Sequence, residues 1–319
     1  MIKGAIIGFA GRGKALAGAA AEAGLKITAV CEQDKTRAAE AAAELPGAAV
    51  YRSAGDLFSR CGGLAFAVIN VPPADRARAS LRALENRLGA ACVAPVCFSV
   101  TDFEKLRAAA DAAGRPLFPL QPWERGRAWQ AVMKALDGGL PGDLRCVSVK
   151  LFSKGPAPEG GVTAALGWQA FSMLLALARR PPSALSARLS PAPDSGAPDS
   201  TAAFQVHFPG LDGSVNLACG CRRDAAVIEA EGENGSLRLE GGALSLDIEG
   251  HAPETVDFRR GPDGLPPPAG WLAAEFAALA AALKDETAAG AGLRNSRYCV
   301  RLLKNALYSA SLNSAAVPL

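Results

Sequence analysis

The chain has 319 residues, 50% of them hydrophobic and 20% charged, with 34 Gly, 22 Pro, eight Cys and two His. That length suits two domains better than one, and the hydrophobic content excludes global disorder. The 34 Lys and Arg against 31 Asp and Glu leave +3, too balanced for a nucleic-acid binder, and two His leave no room for a His-rich metal centre.

From the start, short apolar strands alternate with alanine-rich helical stretches, the signature of a parallel sheet wrapped by helices. The pattern predicts strands over 2–7, 26–30, 49–51, 64–71, 90–93 and 116–119. Helices are predicted over 13–23, 36–44, from 54, over 74–86 and over 101–113. This order is a doubly wound α/β fold, assigned to residues 1–120, with residues 121–319 forming a second domain. The first strand-to-helix turn reads Gly8-Phe9-Ala10-Gly11-Arg12-Gly13, a G-x-A-x-x-G variant of the dinucleotide fingerprint. Gly8 permits the tight turn, Ala10 is small enough for a pyrophosphate to approach, and Gly13 allows close helix packing. Glu32 ends the second strand 19 residues after Gly13, where an acid accepts the ribose hydroxyls and repels a 2′-phosphate. NAD is therefore expected in preference to NADP, although Arg12 and Arg37 are cations able to meet a further phosphate.

Further along, Phe204 to Phe208 alternates like a strand, with Gln205 and His207 on one face. The Pro-rich stretch 181–200 reads as a loop, or a loop followed by an edge strand, and 261–270 as a second loop. Helices are expected over 271–284 and 294–313, the latter burying Val300, Leu303, Ala306, Leu307 and Ala310.

No uninterrupted apolar run of about 18 residues occurs, and glycines cut the first apolar stretch. The expectation is a cytoplasmic protein without a membrane partner. The dispersed cysteines are expected as buried thiols. Cys219-Gly220-Cys221 is too closely spaced for zinc and reads as part of a strand, so no metal site is expected.

Beyond the fingerprint, Val68-Ile69-Asn70-Val71-Pro72-Pro73 ends a strand in a proline turn, and Ala83-Leu84-Glu85 leads on to Cys92-Val93-Ala94-Pro95. With Ala113-Gly114-Arg115-Pro116, Gly160-Gly161, Glu233-Asn234-Gly235-Ser236-Leu237 and Ala306-Leu307-Tyr308-Ser309-Ala310-Ser311, these motifs make nearly the whole chain resemble the glucose-fructose oxidoreductase / inositol dehydrogenase (Gfo/Idh/MocA) family. The resemblance implies a C-terminal α/β domain on a large open, mainly antiparallel sheet, homo-oligomers, and a last helix packing back toward the first domain. It adds Val71, Pro72 and Pro95 to the cofactor-binding set of Gly8, Ala10, Gly11, Arg12, Gly13 and Glu32. It also implies a substrate pocket that includes Trp123, Arg125 and Gln169. Trp123 and Trp129 read equally well as core anchors, and Arg125 as an ion-pair partner.

The departures bear on chemistry. The family's Glu-Lys-Pro is here Val93-Ala94-Pro95, and its Asp-x-Gly-x-His is Ala165-Leu166-Gly167-Trp168-Gln169, with Ser172 where a further acid often stands. Gln169 can bond a hydroxyl but cannot usefully exchange its proton near neutral pH. Lys150, Lys154 and Tyr298 are the other polar candidates near the implied cleft, and no catalytic group is identified. Two readings stand: an NAD-dependent oxidoreductase of a sugar, cyclitol or related polyol with an altered proton relay, or a catalytically silent NAD-binding sensor or assembly protein.

Overall fold

A computed structural model of the chain describes residues 1–258, 269–285 and 293–319, so most of the loop read at 261–270 lies outside the described residues. Packing divides the chain into two compact units, Met1–Pro122 with Ala269–Arg294 and Trp123–Pro268 with Asn295–Leu319.

The first unit alternates β1 (Ile2–Ile7), α1 (Gly13–Glu22), β2 (Leu25–Cys31), α2 (Lys35–Glu44), β3 (Ala49–Tyr51), α3 (Ala54–Arg60), β4 (Phe66–Ile69), α4 (Arg76–Glu85), β5 (Gly89–Val93), α5 (Val100–Ala113) and β6 (Leu117–Leu120). The strands form one parallel sheet in the order β3-β2-β1-β4-β5-β6. Helices cover both faces of such a sheet, which is why its strands are unbroken apolar runs; all four residues of β4 are buried. β4 is shorter than the predicted 64–71. Pro72 and Pro73 offer no N–H to a ladder, and Asn70 turns its side chain to another task described below. Side chains of Asp34, Ser53 and Ser99 accept the first free N–H groups of α2, α3 and α5, and Gly114 closes α5 at φ +59°. The carboxyl ends of β1 and β4 meet where the chain reverses its direction of travel across the sheet, the place where this architecture opens a crevice.

The second unit contains α6 (Arg127–Asp137), β7 (Leu144–Phe152), α7 (Gly161–Ala178), β8 (Ala184–Ser190), β9 (Thr201–Phe208), β10 (Leu211–Ala218), β11 (Ala225–Gly232), β12 (Gly235–Glu240), β13 (Ala243–Ile248) and β14 (Glu254–Asp257). The chain then contributes α8 (Ala269–Ala282) to the first unit and α9 (Leu293–Ser311) and β15 (Val317–Pro318) chiefly to the second. The second sheet runs β14-β13-β12-β11-β7-β10-β9-β8-β15 and is antiparallel except between β7 and β10. β9 alternates strictly between exposed and buried residues, with Gln205 and His207 outward as the sequence predicts. α7 lies on this sheet and buries most of its length. It is the one helix among the described residues long and apolar enough to cross a membrane, and 72% of it is buried inside the protein.

One expectation changes. Cys219 and Cys221 are not strand residues; they sit half-buried in the turn after β10, which Gly220 makes at φ +73°. α8 belongs to the amino-terminal unit, where Phe276 and Leu279 bury with Leu16 and Ala20 of α1 in its core. Within the second unit, the Cys299 thiol of α9 points at the Trp168 carbonyl, and Ser309 Oγ accepts the Ala187 N–H at 2.8 Å.

Candidate functional site

The fingerprint turn is built by close approach. Gly8 sits at φ +87° and its N–H donates to the Cys31 carbonyl at 2.8 Å, tying the turn to the end of β2. A Cβ on Gly8 would lie 2.6 Å from the Asn70 carbonyl oxygen, so any side chain would force β1 and β4 apart at their carboxyl ends. Gly13 opens α1 against the Phe9 ring, which is buried with Val30 and Ala41, and an added Cβ would meet that ring at 2.7 Å. Phe9 thus anchors the turn from below while Ala10 faces the cavity.

Two polar side chains then fix the turn. Asn70 Nδ2 donates to the carbonyl oxygens of Gly8, at 3.0 Å, and Ala10, at 2.9 Å. Glu32 is 7% exposed; its Oε2 accepts the Phe9 N–H at 2.8 Å and its Oε1 the Asp34 N–H at 3.0 Å. A carboxylate oxygen has two acceptor directions, so each keeps one for a ligand while the carboxylate is already oriented. Asp34 in turn caps α2, and the Arg37 N–H on its carboxylate holds its pKa below the ordinary value. Beside Glu32, burial and the carboxylate's own charge push the Cys31 thiol up to about 11.

These groups border a cavity of about 610 Å³ whose walls include Gly8, Ala10, Glu32, Asn70, Val71 and Pro72. That volume is in the range of cofactor sites. Five of the residues expected for cofactor binding, Gly8, Ala10, Glu32, Val71 and Pro72, therefore come together. Gly11, Arg12, Gly13 and Pro95 do not line the cavity: Gly11 and Gly13 shape the turn, Arg12 is the residue before α1, and the Pro95 carbonyl accepts Arg76 Nη1 at 3.2 Å. Asn70 and Arg76 are the additions. Asn70 was visible as a polar residue ending a buried strand, whereas nothing in the run Arg76-Ala77-Arg78 marks Arg76 out.

In the second unit, Trp123 is 5% exposed and packs edge-on against Trp129 with ring centroids 4.7 Å apart, so it is a core anchor. Arg125 borders a separate cavity of about 340 Å³ with Glu124, Trp129 and Asp137. Gln169 stands half-buried on α7, with Ala165 exposed and Ser172 buried on the same helix; it does not line the Arg125 cavity. Lys150 Nζ pairs with Glu229 at 2.8 Å, Lys154 is exposed, and Tyr298 is half-buried on α9. Among the described residues, no group of three or more His, Cys, Asp or Glu is placed to hold a metal ion.

Residues 2–120 match the model of an oxidoreductase family with an NAD-binding Rossmann fold, Gfo/Idh/MocA. No curated protein matches the chain in sequence. Solved structures share the fold over essentially the full length. A levoglucosan dehydrogenase in complex with NADH and levoglucosan superposes with a TM-score of 0.85 at 17% identity, covering 99% of each chain. An inositol dehydrogenase homolog from Azotobacter vinelandii, complexed with NADH and myo-inositol, gives 0.83 at 18% identity, covering 100% of this chain and 97% of that one. An oxidoreductase from Agrobacterium radiobacter in complex with NAD+, L-tartaric acid and magnesium gives 0.82 at 19%, covering 99% and 98%. Residues 2–120 are thus similar to the NAD-binding domain of the Gfo/Idh/MocA oxidoreductase family, and the whole chain shares the fold of these solved structures.

Proposed function

We propose that the protein is an NAD-dependent oxidoreductase acting on a sugar, cyclitol or related polyol. The observation that carries the reading is the cavity at the carboxyl ends of β1 and β4, where the fingerprint turn and a pre-oriented Glu32 face the same space. The residues fit the cofactor: Gly8 and Ala10 keep the floor free of bulk for a pyrophosphate, and Glu32 offers acceptors to the adenosine ribose. When bound there, NAD supplies the two-electron acceptor. The chain's part is to hold and orient it, with Asn70 fixing the turn and Val71 and Pro72 forming the adjoining wall. The substrate class rests on the ligands of the similar structures, levoglucosan and myo-inositol among them.

Ala94, Ala165 and Gln169 supply no ionisable group where the family resemblance expects Lys, Asp and His. The proposal therefore includes a proton relay that runs through another side chain or water, with Gln169 orienting a hydroxyl. A cytoplasmic location belongs to the same reading and is supported by eight free cysteines. Association of copies through the open sheet is supported by the resemblance.

Titration of NAD against thermal stability tests the cofactor assignment, since a ligand binding only the folded state raises the melting temperature. A rise with NAD, reduced in Glu32→Ala and more weakly in Glu32→Gln, is expected. No shift at millimolar NAD sinks the assignment. Reduction of NAD in the presence of polyols, followed at 340 nm, then separates an enzyme from a silent NAD-binding relative.

A further inference from the structure

We propose that Cys219 and Cys221 form a reversible redox site: a small disulfide such as oxidised glutathione converts the two thiols to a disulfide, and this loosens the start of α7. The site lies wholly in the second unit and does not depend on the NAD reading.

The two thiols share one turn. Cys219 and Cys221 follow β10 on either side of the exposed Gly220, both half-buried and both free. Gly220 stands at φ +73°, and the chain bends there. Alternate Cα atoms of a straight strand lie about 6.6 Å apart, at the upper edge of the roughly 4.4–6.8 Å that a disulfide spans. The bend shortens that separation. Cys219 also senses its neighbour: burial raises its pKa most, followed by the charge of Cys221 and then that of Asp199. By contrast, Cys31, Cys92, Cys97 and Cys299 are buried.

The backbone of this turn holds the approach to α7 from two sides. The Cys219 N–H donates to the Ser200 carbonyl at 2.8 Å, the Gly220 N–H to the Gly155 carbonyl at 2.7 Å and the Cys221 N–H to the Ser153 carbonyl at 3.0 Å. Ser153 and Gly155 belong to the segment that leads from β7 into α7. Ser200 follows Asp199, whose carboxylate and carbonyl accept the Thr163 and Val162 N–H groups at the start of that helix. Three successive N–H groups between the two sulfurs therefore tie together both segments that set the first turn of α7.

The chemistry balances in two exchanges. The Cys221 thiolate attacks one sulfur of the small disulfide, forming a mixed disulfide and releasing one thiolate. Cys219, kept as a thiol by its raised pKa, then gives up its proton and attacks the Cys221 sulfur, closing the protein disulfide and releasing the second small thiol. The two cysteine protons end on the two released thiols, and the two electrons reduce the small disulfide. A disulfide in an exposed turn is readily reduced again. Closing so short a ring resets the backbone at Gly220, and the bonds to Ser200, Gly155 and Ser153 are the ones that yield.

The experiment equilibrates the full-length protein with reduced and oxidised glutathione in graded ratios, maps thiols by alkylation and mass spectrometry, and follows amide hydrogen exchange at Val162 and Thr163 in parallel. The peptide carrying both cysteines is expected to lose two hydrogen atoms as the oxidised fraction rises and to regain them with dithiothreitol. Cys219→Ser is expected to stop at a glutathione adduct on Cys221. Exchange at Val162 and Thr163 is expected to quicken about tenfold on oxidation, the effect of losing one hydrogen bond. The Cys219→Ser/Cys221→Ser double variant is expected to show no such change under the same oxidant. A glutathione adduct on the parent that does not close between Cys219 and Cys221, or thiols that stay open to alkylation at every ratio, overturns the redox pair. Closure without faster exchange at Val162 and Thr163 overturns its link to α7. A response of the double variant equal to that of the parent assigns the effect to another cysteine and overturns the link as well.

Discussion

Gly8 and Gly11 both have positive φ, yet they answer to different constraints. At Gly8 the left-handed backbone coincides with a carbonyl oxygen 2.6 Å from where Cβ would stand, and that oxygen belongs to the end of a buried strand that cannot retreat cheaply. At Gly11, φ is +62° and nothing lies within 4 Å of the added atom. The left-handed region costs an ordinary residue about 1–2 kcal/mol. Gly11→Ala is therefore expected to lose about that amount and to retain NAD binding. Gly8→Ala adds a clash to the strain, and such overpacking costs about 1–3 kcal/mol more. Urea denaturation with and without NAD checks the pair; equal losses in the two variants would remove close approach as the reason for Gly8. The same contrast explains why motif reading works at this site. It senses the turn that glycine permits and the acid at Glu32, but not Asn70 or the bonds to backbone atoms by which both side chains hold the turn in place.

At the scale of elements, legibility follows how local the cause is. The parallel strands of the first unit were readable because burial on both faces leaves unbroken apolar runs such as Phe66 to Ile69. In the second unit only β9 announced itself fully, because its two faces meet different surroundings and the residues alternate. The start of α7 was marked by Gly160-Gly161, but what holds it was not legible, since the partner is 36 residues away. Asp199 Oδ2 accepts the Thr163 N–H at 3.0 Å and the Thr163 hydroxyl at 2.6 Å, and the Asp199 carbonyl accepts the Val162 N–H at 2.8 Å. Gly160 has no side chain to cap the helix, so Asp199 takes that task from another segment. Removing a cap costs about 0.5–2 kcal/mol, and leaving buried N–H and hydroxyl groups unpaired places Asp199→Ala toward the upper end. Asp199→Asn keeps an acceptor oxygen and is expected to lose less. Chemical denaturation distinguishes them, and an Asp199→Ala protein as stable as the parent would show that α7 does not depend on this contact. Because α7 carries Gln169, loosening its first turns is also a way to test whether Gln169 must be held in place for turnover.

For the whole molecule, the informative feature is that the first unit is completed by a helix nearly 150 residues downstream of its last strand. α8 brings Phe276 and Leu279, both fully buried, against Leu16 and Ala20 of α1. On the same helix the Glu275 carboxylate accepts the Gln121 N–H at 2.9 Å, just past the end of β6. A family match confined to residues 2–120 therefore ends before the folded unit is complete. The physical reason is that α1 is apolar on more than the face it turns to the sheet, and only a second helix can cover the remainder. Phe276→Ala removes a fully buried aromatic side chain of that cover, and such a truncation costs about 3–5 kcal/mol. The loss is expected to fall on the unit that holds the fingerprint turn, so NAD should raise the melting temperature of Phe276→Ala just as it does for the parent, recovering part of the deficit by mass action. Scanning calorimetry of both proteins at several NAD concentrations checks this. A Phe276→Ala transition that matches the parent in position would show that α8 is not part of the cooperative core of the nucleotide unit, and the division of the chain into 1–122 with 269–294 would then lose its energetic meaning.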